Sequence, residues 1–135
     1  MGLFNSQAQE PLSNDLAAVL VGVDKPTLKA VSREQATIRA ALEPGESLIL
    51  IGADHPGGPA GAGKVAVVTC KRLFFVRRNR VERQIDAGSV RRTWLGRKLG
   101  ERYLVFIEPH TSVEFPTDAQ AQAFAEAIDQ HLLSV

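Results

Sequence analysis

The chain is poor in cysteine, in aromatic residues and in long apolar runs, and each shortage excludes something. A single Cys70 rules out an intramolecular disulfide and suits a reducing compartment. No apolar run approaches the roughly 20 residues that a membrane-spanning helix needs, and no charged-then-apolar signal segment opens the sequence. Gly2 and Ser6 fit the short myristoylation pattern, but nothing basic follows in the tail to supply a second anchor. These features predict a cytoplasmic protein, with attachment to the inner face of the membrane left open.

Catalytic signatures are short as well. His55, His110 and His131 are scattered and Cys70 has no ligand-spaced neighbour, so no metal is expected. No Gly-x-Ser-x-Gly elbow occurs. The stretch Gly58 to Lys64 imitates a phosphate-binding loop. Val65 stands where a Ser or Thr must reach magnesium, and a β-rich run follows where a helix is required. Gly61, Gly63 and Ala66 imitate a dinucleotide fingerprint and fail for the same reason. Asp54 and His55 offer an acid–base pair, yet adjacent residues on a Gly/Pro loop are more often solvated. The expectation is a protein without enzymatic activity or cofactor.

What is present reads as one soluble domain. At 135 residues, 44% of them hydrophobic, the chain is long enough to bury a core. Lys64 to Arg78 organises it: Val65 to Val68 and Leu73 to Val76 are Val- and Phe-rich runs around a short polar turn, which predicts a hairpin. Before it, Leu12, Leu16, Val19, Leu20 and Val23 recur at helical spacing, with Ser13 or Asn14 to cap them. Leu28, Val31, Ile38 and Leu42 give a second helical stripe between Pro26 and Glu43-Pro44-Gly45, while Lys29, Arg33 and Arg39 look outward. This predicts an antiparallel helical pair over 1–43 whose apolar face, including Leu28, Val31 and Ile38, buries against the domain or serves as an interface.

From residue 44 the pattern changes to strands. Leu48 to Ile51 is the first, and the hairpin supplies two more. Arg77 to Arg80 turns, with Asn79 suited to a left-handed position. Val81 to Asp86, Val90 to Leu95 (ended by Gly96), Arg102 to Glu108 and Ser112 to Phe115 complete seven. Thr117 with Gln120 opens a closing helix as a capping box, and Ala121, Phe124, Ala125, Ile128 and Leu132 form its buried stripe. The class is mainly β, with helices at both ends.

The net charge of +1 hides an uneven distribution: Lys71 to Arg102 holds 11 Lys/Arg against 3 Asp/Glu. Arg77, Arg78, Arg80, Arg91, Arg92, Arg97 and Lys98 form a candidate basic face for anionic membrane or nucleic acid. Trp94 is the aromatic residue among them. Alternation with Val90 places it inside, whereas its basic neighbours offer it as an interface residue.

Four phrases carry a family resemblance: Leu42-Glu43-Pro44-Gly45-Glu46, Val67 to Phe75 with its Thr69-x-x-Arg72-Leu73 segment, Ile85 with Val90, and the closing helix. Residues 44–135 resemble the bacterial pleckstrin-homology-like (PH-like) domains. The resemblance implies a seven-stranded, partly open barrel capped by a helix, used for binding and assembly. Self-association or a protein partner is the leading expectation, anionic membrane the next, and nucleic acid the alternative. The loop between the first two strands lacks the Lys and Arg that phosphoinositide binders gather there.

Overall fold

The computed structural model describes residues 11–22, 24–54, 64–98, 102–108 and 111–133. Its strands, in chain order, are β1 (Leu48–Asp54), β2 (Lys64–Thr69), β3 (Arg72–Arg77), β4 (Arg80–Asp86), β5 (Arg92–Lys98), β6 (Arg102–Glu108) and β7 (Thr111–Phe115). Helices α1 (Asn14–Ala17) and α2 (Lys25–Ala41) precede them, and α3 (Asp118–His131) follows. The tail, the Gly/Pro loop with His55, Gly100 and the Pro109-His110 turn lie outside the described residues.

The strands make two antiparallel sheets, β1-β2-β3-β4 and β5-β6-β7. Among the described residues, no ladder joins β4 to β5 or β7 to β1, so the seven strands form two separate sheets that do not close. The backbone after β4 shows why. Ala87 N donates to Lys71 O at 2.8 Å, Gly88 N to Leu132 O at 3.0 Å and Arg91 N to Glu108 O at 2.9 Å. Val90 bridges to Leu133. These groups are spent on the turn before β3, the end of α3 and β6, which carries the chain across the core instead of into another hairpin.

The four-stranded sheet is covered on both faces. Ala66, Val68, Leu73, Phe75 and Ile85 face the second sheet and α3, meeting Val105, Phe115, Phe124 and Ile128. Val65, Val67, Phe74 and Val76 face the other way, against Leu16, Ala30, Val31 and Ile38. That is why the runs in β2 and β3 are continuous rather than alternating. The helical segment therefore shares a core with the strands. Gly52 lets β1 approach the second sheet, since a Cβ there would lie 2.8 Å from Phe115 Cε1.

The predicted helical pair is corrected. The first helix is a single turn, after which Ile51 N donates to Val19 O and Val21 N to Ile51 O, both at 2.8 Å. Val19 to Val21 thus lie along the edge of β1, where β-branched residues suit an extended chain and the strand's open groups find partners. Helix α2 forms as expected, capped by Asp24, which accepts from Thr27 N at 3.2 Å. At α3, Thr117 accepts from Gln120 N, but the Gln120 side chain donates to Asp24 Oδ1 at 3.1 Å and so ties the starts of the two helices together.

One buried ion pair joins two of the phrases singled out in the sequence. Arg72 Nε donates to Glu46 Oε2 at 2.8 Å and Arg72 Nη2 to Glu46 Oε1 at 2.9 Å, a bidentate pair. Thr69 Oγ1 donates to Glu46 Oε2 at 2.6 Å, Glu43 N to Glu46 Oε1 at 3.0 Å, and Arg72 also donates to Ala41 O at the end of α2. The Arg72 hydrogen bonds hold the Glu46 carboxyl down at about 2, against the opposing effect of burial. The pair fixes α2, the 43–46 turn and the β2–β3 hairpin in one register.

Candidate functional site

The seven basic residues do not gather on one surface. Arg77 and Arg80 flank a two-residue turn, Arg78-Asn79, at the tip of the β3–β4 hairpin. Arg91 precedes β5 and Arg92 begins it, while Arg97 and Lys98 end it, the Lys98 side chain lying outside the described part. Five extended residues separate Arg92 from Arg97 by ~17 Å, and the length of β4, ~20 Å, lies between Arg80 and the turn toward Arg91. Several are already engaged. Arg77 donates to Glu82 at 3.0 Å, Arg92 pairs with Glu108 at 3.3 Å and lies over the Trp94 ring, and Arg97 lies over Tyr103.

Val31 and Ile38 are fully buried against the chain's own sheet, so they present nothing to a partner, and Leu28 is half-buried. Trp94 departs from the inward expectation. Val90 is buried, but it precedes the strand in an isolated bridge, so its parity does not carry into β5. Trp94 lies on the outer side of the second sheet, 44% exposed, opposite Phe106. The two rings stack with centroids 5.3 Å apart and planes 15° apart. Gly96 makes this possible, because a Cβ there would come within 2.4 Å of Phe106 Cε2. A hollow of about 390 Å³ opens beside the stack toward Glu108, Thr111 and Ser112.

The edges of the sheets separate one strand from the others. Val19 to Val21 cover the β1 edge. Charged Arg80, Glu82, Arg83 and Asp86 punctuate β4, which is exposed on nearly every residue. Strand β7 packs against both β1 and α3, whereas β5, outside its own sheet, packs chiefly against α3, and more extensively than β7 does. Strand β5 keeps an uncharged centre, Thr93 to Gly96, at an edge of its sheet. Leu95 is 44% exposed there. Between this edge and α3 runs a groove of about 240 Å³, with Thr93, Trp94 and Leu95 on one wall and Gln122, Ala125, Glu126 and Asp129 on the other. Thr93 Oγ1 donates to Asp129 Oδ1 at 2.7 Å and holds the walls in place.

No pattern in the chain pointed directly to the α3 wall. A neutral four-residue break inside an otherwise basic run was the available clue to the strand wall. His131 ends α3 and is exposed, and His55 and His110 lie outside the described residues. Among the described residues no three metal-ligating side chains meet, and no helix is long and apolar enough to cross a membrane. The chain matches no family model, no curated protein and no solved structure.

Proposed function

We propose that the chain is a PH-like, non-catalytic binding module that takes an extended segment of a protein partner along β5, between the strand edge and α3. The observation that carries this is the β5 edge itself: exposed, uncharged at its centre, and set beside a groove of mixed character in which Leu95 faces Gln122, Glu126 and Asp129. An added strand would satisfy the edge backbone and place alternate side chains in the groove. Glu126 and Asp129 on the α3 wall favour a segment that alternates apolar and basic residues. The PH-like reading draws support from the order of elements and from the Glu46–Arg72 pair that unites the Leu42–Glu46 and Thr69–Arg72 phrases. A nucleic-acid partner is less well supported, because the separated arginines offer no continuous track and Trp94 is already stacked on Phe106.

Selection of random linear peptides on the wild-type protein tests the proposal. Enriched peptides should alternate apolar and basic residues and should shift the emission of Trp94, the single tryptophan. They should bind at least about tenfold more weakly to Leu95→Asp and to Glu126→Lys. Failure to enrich, or binding indifferent to both substitutions, would overturn it.

A further inference from the structure

The outer side of the second sheet holds a hollow that the β5 groove does not use. Val105, Ile107, Val113 and Phe115 pack into the core with α3, so the alternate residues Phe106, Glu108 and Ser112 face away from it. Phe106 has Trp94 as its cross-strand neighbour on β5 and Ser112 on β7. The two sides of its ring are unequal. On the β5 side, Gly96 lets Phe106 lean over, since a Cβ there would lie 2.4 Å from Phe106 Cε2, and the ring stacks on Trp94 at 5.3 Å. On the β7 side the neighbour is the short side chain of Ser112. The result is the hollow of about 390 Å³, with Trp94 and Phe106 along it and Glu108, Thr111 and Ser112 around the rest. One strand spacing, ~4.8 Å, leaves room for one further planar group in the stack.

The charge of the hollow is of one sign. Glu108 is the one charged side chain among the described residues that line it. Its carboxylate accepts from Arg92 Nε at 3.3 Å in an exposed pair, and the Arg92 guanidinium also lies over the Trp94 ring, 4.8 Å from its centroid. The stack and the carboxylate therefore already hold one guanidinium, through the two contacts this group combines: a flat face on a ring and N–H donors on a carboxylate. The Thr111 and Ser112 hydroxyls supply acceptors for further N–H donors. An anionic ligand would meet Glu108 and is disfavoured. An ammonium has the charge but lacks the flat face.

We infer that this hollow binds a small planar cation, a guanidinium carried on a short apolar tail. The head lies beside Phe106 and over Ser112 and pairs with Glu108, for which Arg92 competes. The site faces away from α3, so it does not depend on a peptide in the β5 groove.

Titration of the full chain with butylguanidinium, butylammonium and butylurea, which share a tail and differ in the head, tests the inference. Binding is followed by the Trp94 emission and by the ring resonances of Phe106. Butylguanidinium should saturate at millimolar concentrations, about fivefold or more tighter than butylammonium, and butylurea should not saturate in that range. Glu108→Gln should weaken butylguanidinium about tenfold. Ser112→Leu, which fills the hollow, should abolish its binding. Arg92→Gln should tighten it about threefold by freeing the carboxylate, a gain that misfolding cannot imitate. No saturable change with butylguanidinium, equal affinity for the three heads, undiminished binding by Ser112→Leu, or weaker binding by Arg92→Gln would overturn the inference.

Discussion

Glu46 and Arg72 lie 26 residues apart in sequence and meet as a buried bidentate pair. Removing one partner strands the other charge in the interior, so Glu46→Gln should lower stability by about 3 kcal/mol in chemical denaturation at neutral pH. Glu46 titrates near 2 in the fold and near 4.5 ordinarily. Its contribution is therefore full above pH 4.5 and is lost as pH falls toward 2, where variant and wild type should converge. Gly96→Ala should push Phe106 off Trp94 and shift the tryptophan emission, a change that a distant exposed substitution such as Ala36→Ser should not produce. At this scale the sequence was partly legible. Both the Leu42–Glu46 and the Thr69-x-x-Arg72 phrases were visible, but the bond between them was not, because an ion pair leaves no periodicity. Gly96 was visible as a break in the pattern, yet its reason is the Phe106 ring, so β5 runs on to Lys98 instead of ending there.

Helix α2 and the β3–β4 hairpin depend on one another through Glu34. With the carboxylate gone, two backbone N–H groups at the tip lose their acceptor, so Glu34→Ala should cost about 2 kcal/mol in denaturation. It should also speed amide exchange at Arg78 and Asn79 above that of the β2–β3 ladder. Element boundaries were legible where turn chemistry is local, as at Asn79 and at the Asp24-Lys25-Pro26 start of α2. The first helix was not, because Leu16, Val19 and Leu20 satisfy helical spacing while the edge of β1 offers the backbone a better partner. Burial of Glu34 inside α2 was invisible too, since a charged residue in a helix reads as outward-facing until a neighbouring turn supplies donors, whereas Gln35 already lay on the apolar face.

Over the whole molecule, the order of seven strands and a closing helix was readable, but the division into two sheets was not. That division is made by the backbone bonds of Ala87, Gly88 and Arg91, which no side-chain pattern reports. It leaves the four-stranded sheet covered by α2 on one face and by the second sheet and α3 on the other. Ile38→Ala should therefore lower stability by about 3 kcal/mol and leave the molecular mass in solution unchanged. On the proposed reading a partner takes the edge of β5 and the groove it shares with α3. The most direct test is amide hydrogen exchange on the protein with and without a peptide selected against it. Added protection concentrated on Thr93 to Arg97, with little change at the β3–β4 tip, is the expected result. Protection at the tip or on α2, with none along β5, would contradict the account.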